Sequence, residues 1–329
     1  MGVFIAILLL LMAFSNCVRD SSTIVASVVS SRVLSLKKVF FICALFEFAG
    51  VLLFGSAVAA TVGRKIFDVT ASRPDDVIAI LISAFLASMI WGLVSWRNAW
   101  PTSNNQALFG ALLGAVFVLE GGRHVKYSTL FGVIAVLISS PIIGFAVAAL
   151  VTRIVRTAGE WMTPRVRVIF DRLHALSCFM VSFAHGSNDG QIIMGLMLLV
   201  LGLAHAAPGI PLGLRLTIAG VMALGVLMGG RRILQKNMSF YRVRPPQGLC
   251  ADMTAAGLIL ACASTGFPAS TVQVVTGSLV GAGAARNPRA VKWQVAKNVI
   301  AGWFITIPAA ALLAAALSLI LRPLLKELA

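Results

Sequence analysis

The stretch Phe183-Ala-His-Gly-Ser-Asn-Asp-Gly-Gln191 places polar residues near the centre of an apolar run that extends from about residue 176 to residue 203. A helix of this length can cross a bilayer. Polar side chains and a carboxylate at mid-span are costly in hydrocarbon unless they face protein, water or a ligand. The two glycines predict a break in the helix, which would free backbone groups to hold ions. A packing site of small residues between helices is the alternative interpretation.

The composition indicates a polytopic helical membrane protein. Of 329 residues, 59% are hydrophobic and only 12% are charged, and the mean hydropathy is +0.95. Several apolar runs reach the roughly 18 residues that a spanning helix needs. Basic residues outnumber acidic ones by 27 to 11, but they fall in loops between the apolar runs, so they predict orientation in the lipid bilayer and no nucleic-acid partner. The five cysteines are scattered without metal-ligand spacing, so no metal site, disulfide or cofactor is predicted.

The two halves of the chain follow one plan. Each half contains a broken span, an unbroken span, a hairpin with a polar tip and a final span. In the first half these lie at about residues 2–32, 39–62, 77–118 and 130–154, and in the second at 176–203, 214–228, 251–283 and 299–320. The hairpin tips match residue for residue, with Pro101, Ser103, Gln106, Gly110 and Gly114 corresponding to Pro268, Ser270, Gln273, Gly277 and Gly281. The broken spans align at nearly the same offset and place Asp20 opposite Asp189, which indicates an internal duplication.

The basic loops predict that the two repeats are inverted. If these loops are all cytoplasmic, the first half starts outside the membrane and the second starts inside. The hairpins then enter from opposite sides and are re-entrant. We therefore predict an all-α polytopic membrane protein with two inverted repeats, broken helices and re-entrant helical hairpins. The first repeat covers residues 1–155, a basic cytoplasmic loop covers 156–175, and the second repeat covers 176–329.

Each hairpin tip predicts an anion site. A proline starts a helix whose N-terminus presents unpaired backbone N–H groups and a serine hydroxyl, Ser103 or Ser270, at the positive end of the helix dipole. Two such ends that converge from opposite sides can surround a tetrahedral oxyanion. Asp20 and Asp189 at mid-membrane predict the complementary role, which is binding of a cation or proton. Inverted repeats of this kind expose a central site alternately to each side, as secondary transporters do.

Several of these motifs resemble those of the inorganic phosphate transporter (PiT) family. Residues 183–191 look like the second family signature, 268–273 like its Pro-x-Ser-Thr-Thr-His hairpin, 91–114 like the matching first hairpin, and 17–32 like the first signature. The resemblance covers nearly the full chain and is strongest to bacterial low-affinity members. It implies a symporter in the cell inner (plasma) membrane that imports inorganic phosphate, alone or as a metal complex, together with protons or sodium.

The candidate residues form three groups. The anion would contact Ser103, Asn104, Asn105, Gln106, Ser270, Thr271 and Gln273. The coupling cation would be held by Asp20, Thr23, Ser187, Asn188 and Asp189. A coupling or gating role is predicted for Arg19, Glu47 and His185. No catalytic residue is predicted. The sequence leaves open whether the protein forms a homo-oligomer.

Departures from the family pattern leave the anion and the coupling ion open. Arg19 replaces His or Asn in the first signature, Asn104-Asn105 replace Ser/Thr, and Gln106 and Gln273 replace the His that closes each hairpin motif. Another tetrahedral oxyanion, sulfate foremost, is therefore the main alternative substrate. An intramembrane lipid pyrophosphate phosphatase is a remote alternative, because neither Pro-x-Ser tip has an arginine in the following helical turns to support such chemistry. We predict a transporter and not an enzyme.

Overall fold

The computed structural model describes residues 1–66, 73–98, 100, 102–159, 166–201, 210–229 and 243–327. Within these ranges the regular structure is entirely helical and contains no strand. The helices are α1 (Gly2–Ile24), α2 (Ala26–Ser30), α3 (Leu36–Leu53), α4 (Ala57–Ala60, continued by a π-helical turn over Thr61–Lys65), α5 (Pro74–Asn98), α6 (Asn104–Glu120), α7 (Tyr127–Gly159), α8 (Val166–Val200), α9 (Leu212–Leu227), α10 (Pro245–Thr265), α11 (Thr271–Arg286) and α12 (Trp293–Glu327). The prediction of an all-α protein is confirmed.

Several of the described helices can cross a membrane. Five of them, α1, α5, α7, α10 and α12, are long and apolar enough, and α3 with α4 adds a sixth if the bent pair counts as one span. Large apolar side chains such as Phe4, Phe131 and Leu312 are more than half exposed on these helices, as expected for a surface that contacts lipid. The prediction of a multi-pass membrane protein is confirmed. α8 is not among the five, because the polar residues at its centre lower its hydropathy.

The two helix breaks predicted at mid-span are wrong. The sequence places the first break near residues 15–20, but α1 is continuous there, and a single residue, Val25, separates its end at Ile24 from α2. α8 is continuous through residues 183–191. Its glycines serve close packing instead, because a Cβ on Gly186 would overlap the backbone carbonyl of Glu47 in α3. The alternative interpretation, a packing site of small residues between helices, accounts for these glycines.

The broken span lies between α3 and α4. The two helices meet at 60° in a span that the sequence predicted to be unbroken over residues 39–62. Gln191 of α8 supports the bend, because its amide oxygen accepts a hydrogen bond from the backbone N–H of Val58, 2.9 Å away, near the start of α4. The first N–H groups of a helix have no partner within the helix, so Gln191 supplies one from outside.

Both polar-tipped hairpins are confirmed as helix–turn–helix units, with α5 turning into α6 and α10 into α11. α5 and α10 contain 25 and 21 residues and are longer than the predicted arms. Each is long and apolar enough to cross a bilayer by itself. A re-entrant course for the hairpins therefore stays a prediction.

The second arms of the hairpins pack on their neighbours in the same way. Gly110 and Gly114 of α6 lie against the backbone of α12, and Gly277 and Gly281 of α11 lie against the backbone of α7. A Cβ at any of the four would approach a main-chain oxygen too closely, so the missing side chains let each helix pair come together. Equivalent packing at equivalent residues supports the duplication. The inverted orientation of the repeats and their boundaries stay predictions.

The basic loop predicted at 156–175 is largely helical in its described part. α7 continues to Gly159 and α8 begins at Val166, while residues 160–165 lie outside the described ranges. Arginine has a high helix propensity. A basic stretch that follows an apolar run can therefore continue the helix into the water phase. The end of the apolar run in the sequence then does not mark the end of the helix.

We expect Gly114→Ala to separate α6 from α12 and to lower the free energy of unfolding by about 1–3 kcal/mol, the usual cost of overfilling a packed site. Gly281→Ala should act in the same way on α11 and α7. The measurement is the apparent unfolding temperature of the purified protein in detergent. Gly257→Ala is the matched control, because no atom lies within 4 Å of its added Cβ. Equal effects of the three variants would contradict the close packing.

Candidate functional site

The polar stretch of α8 meets three buried carboxylates around His185. The imidazole Nδ1 lies 2.7 Å from Glu47 Oε1 of α3, and Nε2 lies 3.5 Å from Asp20 Oδ2 of α1 and 3.3 Å from Asp189 Oδ2 of α8. His185 and Glu47 are 0% exposed, and Asp20 and Asp189 are 5% and 7% exposed. Three carboxylates around one imidazole carry net negative charge unless protons or a cation are bound. Such charge is costly at this depth.

The start of α6 supplies hydrogen bonds to both aspartates. Asn104 Nδ2 donates to the two carboxylate oxygens of Asp20, at 2.8 and 2.7 Å, and Asn105 Nδ2 donates to Asp189 Oδ1 at 3.1 Å. A buried carboxylate without donors is unfavourable, so these amides stabilise the two aspartates. Both asparagines were predicted to contact the anion, and their amides contact the predicted cation ligands in this structure.

Asn188 connects Asp189 to the tip of the second hairpin. Its amide nitrogen donates to Asp189 Oδ1 at 2.6 Å and to the carbonyl oxygen of Ala269 at 3.0 Å. Its amide oxygen accepts from the backbone N–H of Ala269 at 2.9 Å. Ala269 immediately precedes Ser270, so one side chain joins the carboxylate to the start of α11.

Gln106 and Gln273 join the two hairpin tips to each other. Gln106 Nε2 donates to Gln273 Oε1 at 3.2 Å, and Gln273 Nε2 donates to Gln106 Oε1 at 2.7 Å. The two glutamines are equivalent in the duplication, so the pair is self-complementary. Each amide oxygen already accepts a hydrogen bond from the other glutamine. A role of Gln106 and Gln273 as anion ligands therefore stays a prediction.

The two tips differ in how their hydroxyl groups are bound. Ser103 Oγ accepts a hydrogen bond from the backbone N–H of Gln106 at 3.1 Å, which is an N-cap. The hydroxyls of Ser270 and Thr271 are buried and have no hydrogen-bond partner among the described residues. A buried polar group without a partner costs free energy, so the tip of α11 offers two unused hydroxyls to a ligand.

Two further predicted cation ligands lie at the edge of the cluster. Ser187 Oγ donates to the carbonyl of Phe183 within α8, at 2.7 Å. Thr23 lines a cavity of about 30 Å³ that also reaches Asp20 and Arg19. Direct binding of a cation by Ser187 or Thr23 stays a prediction.

Two overlapping groups of side chains have the geometry of a metal site. One group is Asp20, His185 and Asp189, the other is Cys17, Glu47 and His185, and in each the ligand atoms lie within 4.8 Å of one another. The scattered cysteines gave no such signal in the sequence, because Cys17 meets Glu47 and His185 only through the packing of α1, α3 and α8. Carboxylates and imidazole bind both protons and divalent cations, so the same atoms suit a transported cation.

A second buried polar cluster, not predicted from the sequence, lies nearer the start of α8. His174 Nε2 is 3.4 Å from Asp252 Oδ2 of α10, and that oxygen accepts from Ser27 Oγ of α2 at 2.7 Å and from Ser177 Oγ at 3.3 Å. Helical periodicity was the available signal, because His174 lies about three helical turns before His185 and therefore on the same side of α8. The cluster fixes the first arm of the second hairpin to α2 and α8.

Known proteins with similar sequences and folds are phosphate transporters by name. A sequence profile described as the phosphate transporter family matches residues 16–314. A probable low-affinity inorganic phosphate transporter of Rhizobium meliloti is 34% identical over 92% of this chain and 91% of its own length. A protein of the same name in Bacillus subtilis is 30% identical over 95% of each chain. A solved structure titled the sodium-dependent phosphate transporter shares the fold, with a TM-score of 0.84, 22% identity and coverage of 98% of this chain and 99% of its own.

We expect Asn104→Ala to leave the buried carboxylate of Asp20 without its two amide hydrogen bonds and to lower the free energy of unfolding by about 1.5–3 kcal/mol. Thermal unfolding in detergent measures the loss. Asn98→Ala is the matched control, because Asn98 is exposed and its side-chain amide donates to the Val94 carbonyl of its own helix, away from the carboxylate cluster. An Asn104→Ala variant as stable as the control would mean that Asp20 does not depend on this donor.

Proposed function

Because the chain belongs to the phosphate transporter family, we propose that it imports inorganic phosphate as a symporter coupled to protons or sodium. Membership of this family excludes the intramembrane phosphatase considered from the sequence. The observation that carries the proposal is the position of two unpartnered hydroxyls, Ser270 and Thr271, beside a buried cluster of carboxylates. The membrane is proposed to be the cell inner (plasma) membrane.

The anion side of the site is proposed to be the start of α11. Ser270 and Thr271 supply hydroxyl donors, and the first backbone N–H groups of the helix supply more at the positive end of the dipole. Ser103 at the matching tip of α6 already accepts a hydrogen bond from its own helix, so its hydroxyl still has a proton to donate. Neutral donors of this kind can hold a tetrahedral oxyanion without a permanent ion pair, which favours release.

The cation side is proposed to be the cluster around His185. Binding of a proton or sodium ion by Asp20 or Asp189 lowers the cost of the three buried carboxylates. A cavity of about 10 Å³ adjoins Asp189, Asn105 and Cys17, which is close to the volume that one small ion or water needs. The same donor set suits a divalent metal, so phosphate that arrives as a metal complex is a second form of the substrate.

Coupling between the two sides is proposed to pass through Asn188. Its amide bonds Asp189 at one end and both backbone groups of Ala269 at the other, one residue before Ser270. A cation that draws Asp189 into its coordination shell competes for the Asn188 amide. The position of the α11 tip then depends on whether the cation is bound, which is the differential interaction that symport requires.

Alternating access is proposed to require separation of the hairpin tips. The Gln106–Gln273 pair holds them together in this structure, and the carboxylate cluster beneath is buried. The inverted repeats, residues 1–155 and 176–329, would then move relative to each other so that the site opens to one side at a time.

Uptake into proteoliposomes tests the function directly. We expect labelled phosphate to accumulate when an inward proton gradient or an inward sodium gradient is imposed, and the effective gradient identifies the coupling ion. Asp189→Asn should abolish accumulation because it removes the cation ligand. Asp75→Asn, at the start of α5 and away from the cluster, is the control. Sulfate accumulation without phosphate accumulation would transfer the proposal to sulfate, and no accumulation of either anion would refute it.

The KM for phosphate distinguishes the roles proposed for the two hairpin tips. We expect Ser270→Ala and Thr271→Val each to raise the KM for phosphate by roughly 5- to 50-fold, since each removes one hydrogen bond to an ionised ligand. Ser103→Ala, which removes the N-cap serine at the equivalent position, should change KM less. Initial rates of phosphate uptake at saturating driving ion give these values. A larger effect at Ser103 than at Ser270 would place the anion at the tip of α6 instead.

A further inference from the structure

A cavity of about 30 Å³ lies between α1, α5 and the tip of the first hairpin. Arg19 and Asp20 form one wall, Gly92 and Ser95 of α5 form another, and Asn104 closes the end toward the carboxylate cluster. Val272 of α11 also lines it, so the cavity adjoins the helix start that carries Ser270 and Thr271. It lies next to the proposed anion site and is separate from it.

Arg19 brings a positive charge to this cavity and forms no ion pair with a carboxylate in the described ranges. Its Nε donates to the Ser15 carbonyl at 3.3 Å, and its Nη2 donates to Asn16 Oδ1. Both acceptors are neutral, and among the described residues no carboxylate oxygen lies within the 4.0 Å of an ion pair with Arg19. A guanidinium has more N–H donors than these two bonds use, so Arg19 can bind a further acceptor.

One face of α5 carries unused donors, and Gly92 and Ser95 on this face line the cavity. Ser88, Trp91, Gly92 and Ser95 follow the spacing i, i+3, i+4, i+7, which places them on one side of a helix. The hydroxyls of Ser88 and Ser95 and the indole N–H of Trp91 are buried without a hydrogen-bond partner in the described part of the chain. Gly92 makes room for the guanidinium, because a Cβ there would overlap it.

From these contacts we infer that the Arg19 cavity is a second oxyanion-binding subsite, where phosphate or sulfate binds before it reaches Ser270 and Thr271. The oxyanion class rests on the proposed function. The donors at the cavity are the Arg19 guanidinium and the Ser95 hydroxyl. A guanidinium can only donate hydrogen bonds, so the N–H groups of Arg19 beyond the two bonds already made call for an acceptor such as an anion.

The present cavity is the closed form of this subsite. Its volume matches about one water molecule, whereas a tetrahedral oxyanion is larger. Trp100 and Thr102 of the hairpin tip line it, so withdrawal of the tip from α1 enlarges it. Asp20 also lines the cavity, where both of its carboxylate oxygens accept hydrogen bonds from Asn104.

The test compares Arg19→Gln, Arg19→Lys and Ser95→Ala, with Arg97→Gln as the control because Arg97 is an exposed arginine near the end of α5. Phosphate uptake is measured as a function of phosphate and of driving ion. We expect Arg19→Gln to raise the phosphate KM about tenfold or more and Ser95→Ala to raise it several-fold. Arg19→Lys should recover part of the loss because it restores the charge. The driving-ion concentration at half-maximal rate should stay unchanged in all variants.

Tryptophan fluorescence reports on the cavity independently of transport. Trp91, Trp96 and Trp100 lie at or beside it, so titration of the purified protein with inorganic phosphate should change its emission, and Arg19→Gln should remove the change.

An unchanged phosphate KM together with an altered driving-ion dependence in Arg19→Gln would make Arg19 a fixed countercharge to Asp20 and overturn the subsite. Unchanged values for every variant would also overturn it. If the wild type transports neither anion, the proposed function fails, while the fluorescence titration still decides the subsite.

Discussion

The structure depends on the requirement that charged groups at membrane depth find their partners inside the protein. Glu47, Asp20 and Asp189 satisfy it by meeting around His185, and Asn104 and Asn105 complete the arrangement from the first hairpin. These residues come from four helices that are distant in sequence. The cluster therefore fixes the mutual positions of α1, α3, α6 and α8, and a change in its charge acts on all of them.

The duplicated plan gives two tips of similar backbone but different chemistry. At equivalent positions, Asn104 is engaged by a carboxylate, whereas Thr271 has no partner among the described residues. Likewise Arg19 precedes Asp20 where Asn188 precedes Asp189. One tip thus presents amides to carboxylates, and the other presents hydroxyls that have no partner in the described part of the chain. Under the proposed function, these unlike sides of an approximately symmetric scaffold bind a cation and an anion in one place.

The sequence predicted most of the fold and singled out several of the polar residues that the structure brings together around His185. Apolar runs gave the number and order of the main helices, and the matching Pro-x-Ser-x-x-Gln tips gave both hairpins. The predicted breaks in α1 and α8 were wrong because glycine in a membrane helix can serve close packing as well as flexibility. The partner helix distinguishes the two uses, and for Gly186 that partner is α3. The bend before α4 and the contact of Cys17 with His185 were missed because both depend on residues distant in sequence. Asp20, Glu47, His185 and Asp189 were each singled out from the sequence, but their meeting in one buried cluster was not readable from spacing.

The Gln106–Gln273 contact has a consequence for the response to acidity. A primary amide neither gains nor loses a proton over the physiological range, and each glutamine presents one donor and one acceptor to the other. The contact between the hairpins therefore keeps the same strength in acid and alkaline surroundings. A contact made by a histidine at either position would change with pH, because histidine gains a proton in the physiological range. Any effect of pH on the contact between the tips must therefore arise at groups other than this glutamine pair.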